Sequence, residues 1–143
     1  MNYSVLNKNI YLNYLDKKII ALNVALNDCN NISTLSTSRN RYIPGKSHNQ
    51  FNQSKNSISN EKNFNQGMIG FSLDYLIEKF SLPFPNHIKI DVDGNEHRII
   101  KGMQKTLSNN KLRTIACQVD HNNSEHLFIR ENIELHGFKG KYL

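Results

Sequence analysis

The feature that most constrains this chain is the stretch from His87 to Leu107. A short apolar run ends in two aspartates and a glycine, and a helical pattern of apolar residues follows at once: Ile99, Ile100, Met103 and Leu107. This pattern predicts a strand, a tight turn at Asp93-Gly94, and a helix that begins at Asn95 or Glu96. Because ligands of open α/β sheets bind at the carboxyl ends of the strands, the functional question starts there.

Three carboxylates, those of Asp91, Asp93 and Glu96, are expected at this strand end. Carboxylates so placed could bind a metal, act as a base, or hold a substrate hydroxyl or amine. The structural alternative stays open, since Asp-Gly is also a common turn and Glu96 a favourable charge at a helix start. A calcium loop is excluded, because its sixth position requires glycine and is Glu96 here. No zinc-ligand spacing occurs among the histidines and cysteines, so no metal site is predicted.

The rest of the chain alternates predicted helices and strands. Near-continuous apolar runs are typical of strands buried on both faces. The predicted elements are a helix over Tyr3–Leu15 with a stripe of Leu6, Ile10 and Tyr14, strands over Ile19–Leu26 and Ile32–Thr37, a helix capped by Ser72 with a stripe of Leu73, Leu76, Ile77 and Phe80, a strand over Thr114–Val119, and a helix from Ser124 to Gly137. This order predicts an α/β fold with a mostly parallel sheet and helices on both faces. The polar stretch Ser38–Gln66 is expected to be a flexible loop.

Composition narrows the class of protein. The 143 residues suit one domain with a moderate core. The net charge is +6, but the basic residues are dispersed, so no nucleic-acid partner is expected. Two cysteines give no disulfide framework, and neither a membrane span nor a signal pattern is present, which favours a soluble cytoplasmic protein. No Gly-x-Gly-x-x-Gly or phosphate loop occurs.

Together these pieces resemble the later part of the FkbM family of methyltransferases. The family pattern is SLD-x-L/F-I, then IKID-V-E/D-G-x-E, then I-x-K-G and TL. The corresponding pieces here are Phe71-Ser-Leu-Asp-Tyr-Leu-Ile77, Ile88-Lys-Ile-Asp-Val-Asp-Gly-Asn-Glu96, Ile100-Lys-Gly102 and Thr106-Leu107. A softer match covers Leu6–Asn13 and Ile19–Asp28, which look like the second helix and third strand of the family.

The resemblance implies a class I enzyme with a Rossmann-like fold that uses S-adenosyl-L-methionine. The acceptor would be a hydroxyl on a sugar, a lipid or a secondary metabolite. By resemblance, Ala25, Leu26 and Asp28 would border the adenine pocket, Asp91 would face the methyl group and the acceptor, and Glu96 would be its orienting partner or a base.

The chain also departs from the family pattern. The first two strands of the family, with the glycine-rich turn, would precede Met1, and its final strand pair would follow Phe138. Gln118 stands near the point where the family usually has glutamate. Residues 1–143 are therefore expected to form the C-terminal part of such a domain. The alternative is an inactive or split fragment that needs a partner, a missing N-terminal half, to bind the cofactor. A basic nucleic-acid-binding module is a weaker alternative.

Overall fold

The computed structural model describes residues 2–38, 49–51, 63–92, 94–119 and 124–140. Helices and strands alternate along most of these ranges, which makes the protein a mixed α/β structure. The elements are α1 (Asn2–Leu12), β1 (Ala25–Leu26), β2 (Asn31–Ser38), β3 (Asn49–Phe51), β4 (Asn63–Phe71), α2 (Leu73–Phe80), β5 (His87–Ile90), α3 (Glu96–Lys101), α4 (Gln104–Leu107), β6 (Thr114–Cys117) and α5 (Ser124–Leu135).

The strands form two small sheets. One has the order β1-β4-β2-β3, in which β1 runs parallel to β4 while β2 runs antiparallel to both β4 and β3. The other is the parallel pair β5 and β6, with Ile90 opposite Cys117. These pairings do not form the single, mostly parallel sheet that the sequence predicted. The reason is the long antiparallel pairing of β2 with β4, which runs from Asn31 opposite Gly70 to Ser38 opposite Asn63.

The predicted buried strand over Ile19–Leu26 was wrong in extent and in burial. Only Ala25–Leu26 is a strand, and Ile19, Ile20 and Leu22 are exposed, Ile20 by 70%. Among the described strands β1 has β4 as its one neighbour, and no described strand pairs with the run before Ala25. Strand β6 also alternates between exposed and half-buried residues and is not buried on both faces.

The core forms around the apolar stripe predicted after the Asp93-Gly94 turn. Ile99, Ile100, Met103 and Leu107 are all buried and pack with Ile90, Leu112 and Ile129. The predicted continuous helix is instead divided into α3 and α4 at Gly102. On α1, by contrast, only Ile10 of the predicted stripe is buried, while Leu6 and Tyr14 are exposed.

The signals for the ends of α2 and α5 were confirmed. Ser72 caps α2, and its hydroxyl accepts a hydrogen bond from the Tyr75 amide at 3.2 Å. Gly137 follows α5 with a φ of +87°, the left-handed conformation that favours glycine at a helix end. In the stretch 38–66, predicted to be a flexible loop, the described residues are Ser38 of β2, all of β3 and the start of β4, and the others fall outside the described residues. Every helix in the described ranges is too short or too polar to span a bilayer.

Candidate active site

The turn after β5 is held by the carboxylate of Glu96. This side chain is 2% exposed, and its Oε2 accepts a hydrogen bond from the Gly94 amide at 2.9 Å. Its Oε1 accepts a second, longer one from the Val92 amide at 3.4 Å. Gly94 has a φ of +117°, which glycine adopts without strain. Glu96 therefore fixes the path of the chain between the end of β5 and the start of α3.

Asp91 lies at the carboxyl end of β5 and faces solvent. Its carboxylate accepts a hydrogen bond from the Lys89 ammonium at 2.9 Å, and both side chains are largely exposed. An exposed pair of this kind adds little stability, about 0–1 kcal/mol. Asp91 can therefore exchange Lys89 for another partner at a small cost in free energy. Asp93 falls outside the described residues, and no metal-binding group of acidic, histidine or cysteine side chains occurs among those described.

The end of β1 carries the other predicted residues. Ala25 and Leu26 are half-buried in the strand, and the Asn27 amide extends the ladder by donating to the Phe71 carbonyl at 2.9 Å. Asn27 is 2% exposed, whereas Asp28 is exposed. Burial raises the pKa of the Cys29 thiol, and the negative charge of Asp28 raises it further. The end of β1 therefore presents the half-buried aliphatic side chains of Ala25 and Leu26 beside the exposed carboxylate of Asp28.

Helix α3 brings the two strand ends together. Gly102, just after α3, lies against the backbone carbonyl of Asn27. Burial lowers the pKa of His97 at the start of α3; Glu125 has the largest opposing effect, and Asp28 also raises this pKa through its charge. The His97 ring nitrogen Nδ1 lies 3.3 Å from the Glu125 carboxylate of α5, without hydrogen-bond geometry.

The end of β6 borders the same turn. Burial raises the pKa of the Cys117 thiol to about 11, and the nearby charge of Glu96 contributes in the same direction. The Gln118 amide donates to the Ile90 carbonyl at 3.4 Å, so the two strand ends stay paired. Cys117 is thus a poor nucleophile, because the thiolate is the reactive form.

Sequence reasoning missed the structural roles of Asp74 and Gly102. Asp74 lies in the Ser-Leu-Asp motif, and its carboxylate accepts hydrogen bonds from the Lys105 and Thr106 amides, each at 2.8 Å. The signals for Gly102 were its place in the Ile100-Lys-Gly102 motif and its position inside a helical pattern.

A separate cavity of about 400 Å³ lies away from these residues. Leu112 and Arg113, which precede β6, line it together with His136 and Phe138 after α5. Because β5 and β6 are parallel, this cavity lies at their amino ends, opposite the edge that carries Asp91 and Glu96. It is not part of the candidate site.

The chain is an α/β protein with Asp91 just after the end of β5 and Glu96 at the start of α3. Comparison with known protein families assigns the chain to one family. The family described as the methyltransferase FkbM domain matches residues 2–139, so the chain belongs to the FkbM methyltransferase family. No curated protein and no solved structure matches the chain.

Proposed function

We propose that this chain carries part of the active site of an S-adenosyl-L-methionine-dependent methyltransferase that methylates an acceptor hydroxyl. The observation that carries the proposal is the family match over residues 2–139. The acceptor class is a hydroxyl on a sugar, a lipid or a secondary metabolite, in keeping with the resemblance. The geometry adds support, because the strand–turn–helix at Asp91–Glu96 and the end of β1 meet around α3.

The residues at the end of β1 fit the adenine end of the cofactor. Leu26 and Ala25 offer an apolar edge, and the exposed Asp28 carboxylate can accept a hydrogen bond from an exocyclic amine. When bound, S-adenosyl-L-methionine supplies an electrophilic methyl group. The protein's part is to bind and orient the acceptor beside that group, since positioning supplies much of the rate.

Asp91 is assigned the role of acceptor-orienting group and proton acceptor. A bound cofactor would supply the methyl group, and the carboxylate of Asp91 would accept the proton of the acceptor hydroxyl. Glu96 is buried and its two oxygens already accept backbone hydrogen bonds. These contacts favour an orienting role for Glu96 over a role as base.

The test separates cofactor binding from transfer. Binding of S-adenosylhomocysteine, measured by calorimetry, needs no acceptor. Transfer of a labelled methyl group from S-adenosyl-L-methionine is then followed on a panel of sugar, lipid and polyketide hydroxyls. Asp28→Ala should weaken binding about tenfold, the value of one lost hydrogen bond to a charged group. Asp91→Asn should leave binding unchanged and lower kcat about a hundredfold or more.

Lys89→Gln is the matched control, because it removes the ion pair and keeps the Asp91 carboxylate. It should retain methyl transfer. An Asp91→Asn protein that still transfers methyl at the wild-type rate would refute the role of Asp91, and a wild-type protein that binds no S-adenosylhomocysteine would refute cofactor binding by this chain.

The second candidate is a chain that binds the cofactor only with a partner polypeptide. Exposure of Ile19, Ile20 and Leu22 beside β1 favours it, because a further strand at that edge would cover them. In that case the isolated chain binds no S-adenosylhomocysteine and regains binding when the partner is added. Binding by the isolated chain alone would exclude this form.

A further inference from the structure

We propose that Gly102 is a positioning residue for the cofactor, because its lack of a side chain lets the Asn27 carbonyl sit against it and so sets the place of Asp28. The inference rests on the proposed function, in which Asp28 borders the adenine. It concerns a residue that touches no substrate and acts through the chain segment Asn27–Cys29.

Space, not backbone conformation, requires glycine at this position. The φ of Gly102 is −81° and its ψ is 4°, values that any residue adopts. A β-carbon built on Gly102 would lie 2.1 Å from the carbonyl oxygen of Asn27 and 3.0 Å from its carbonyl carbon. These are backbone atoms, which cannot rotate aside as a side chain can.

The segment around Gly102 is held firmly in the core. Ile100, two positions before Gly102, and Met103, directly after it, are both fully buried. The Gly102 carbonyl accepts a hydrogen bond from the Asp74 amide at 3.2 Å, and the Asp74 carboxylate holds the start of α4. Moving the junction of α3 and α4 would therefore disturb the centre of the core.

The other side of the contact is held less firmly. Asn27 is 2% exposed and its backbone amide is paired with the Phe71 carbonyl, but the residues after it are less confined, since Asp28 is exposed and Cys29 is half-buried. A side chain at position 102 should therefore displace the segment Asn27–Cys29 and leave the core in place. The displacement is roughly 1 Å, the difference between 2.1 Å and an ordinary carbon–oxygen contact of about 3.3 Å.

The first experiment compares Gly102→Ala with Gly67→Ala. Gly67 is the matched control, since a β-carbon there meets no atom within 4 Å. In Gly102→Ala we expect the KM for S-adenosyl-L-methionine and the Kd for S-adenosylhomocysteine to rise by up to about tenfold, the effect expected when the Asp28 contact is lost. The kcat at saturating cofactor should stay close to the wild-type value. A merely structural role would instead lower kcat, through a smaller folded fraction, and leave KM unchanged.

A second comparison identifies which contact matters. The same β-carbon would lie 3.1 Å from the β-carbon of Ser72. The double variant Ser72→Gly/Gly102→Ala removes that neighbour, and glycine is tolerated at an N-cap at a cost of only a few tenths of a kcal/mol. We expect the KM to remain raised. Recovery of the wild-type KM would overturn the inference, because Ser72 and not the Asn27 carbonyl would then be the obstacle.

Amide hydrogen exchange tests whether Gly102 positions the segment Asn27–Cys29, whether or not the proposed function is correct. Gly102→Ala should speed exchange at Asn27, whose backbone amide donates to the Phe71 carbonyl, and leave the amides of Ile100 and Met103 protected. If the wild-type protein binds no S-adenosylhomocysteine, the proposed function fails, while the exchange pattern still decides whether Gly102 sets the Asn27–Cys29 segment. Unchanged exchange in that segment, unchanged KM, or loss of the cooperative fold would each overturn the inference.

Discussion

Glu96 and His97 are adjacent in sequence, yet burial acts on them in different ways. Glu96 is 2% exposed, and hydrogen bonds from the Gly94 and Val92 amides offset the cost of burying its charge. The carboxylate therefore stabilises the turn between β5 and α3. His97 is nearly as buried, but its Nδ1 makes no hydrogen bond to the described residues. Burial lowers the pKa of His97 because the charged ring is poorly solvated, although Glu125 opposes this.

This burial of His97 predicts an acid-sensitive stability. The folded state holds His97 neutral below the usual histidine pKa of about 6.5, so the unfolded chain binds more protons there. Stability is therefore expected to fall as pH decreases from about 6.5 through the lower pKa of the folded state, by at most about 1.4 kcal/mol per pH unit for this one group. Urea unfolding of wild type and His97→Gln across this pH range measures the difference.

The exposed His87 supplies the control for this measurement. Arg98, Lys101, Asp28 and Glu125 also face His97, and all of them remain in both variants. His87→Gln should keep the wild-type pH dependence, whereas His97→Gln should flatten it. Identical slopes in wild type and His97→Gln would contradict the prediction.

At the scale of elements, α2 and α4 share one carboxylate. Helix α4 begins after Met103 without a side-chain cap of its own, which would leave its first amides unpaired. Asp74 in the first turn of α2 accepts from the Lys105 and Thr106 amides and from the Thr106 hydroxyl. The aspartate of the Ser-Leu-Asp motif is thus a cap supplied from another helix.

Asp74→Ala is expected to destabilise the fold by about 1–3 kcal/mol. Thr106 is 1% exposed, so its amide and hydroxyl would lose their partner without access to water. Glu78→Gln is the control on the same helix, since it breaks only the exposed pair with Lys105. Chemical denaturation should show a clear loss for Asp74→Ala and little change for Glu78→Gln. Equal effects would mean that Asp74 does not act as a cap.

At the scale of the whole molecule, the N-terminal segment presents an unusual apolar surface. Tyr11, Leu12 and Tyr14 at the end of α1 are each more than half exposed, as is Ile20. The Tyr3 hydroxyl donates to the Ala21 carbonyl at 3.4 Å, which places α1 beside this run. Exposed apolar side chains concentrated in one segment favour an interaction site or an aggregation risk.

We therefore expect the isolated chain to self-associate through this surface. Ile20→Lys should lower the average mass seen by sedimentation at high protein concentration, because it places a charge in the exposed apolar run. Leu135→Lys is the control, since Leu135 is 82% exposed at the end of α5, far along the chain from this surface. Equal reduction by both variants would indicate a general charge effect instead.

Much of the local structure could be predicted from the sequence, because the signals are themselves local. The cap at Ser72, the turn before Glu96 and the stripe of Ile99, Ile100 and Met103 depend on neighbours within a few positions. The family was identified from the same short motifs, and the match over residues 2–139 confirmed it. The roles of Asp91, Glu96 and Asp28 remain predictions.

Tertiary structure alone decided how these elements meet. An apolar run is buried only when other elements cover it, so the exposure of Ile20 could not be predicted from its own composition. The contact of Gly102 with Asn27 and the bonds from Asp74 to α4 join residues far apart in sequence. Periodicity and motifs determined which segments are helices, strands and turns in most of the chain. Long-range packing determined which of their side chains are buried, which are capped and which stand beside the candidate site.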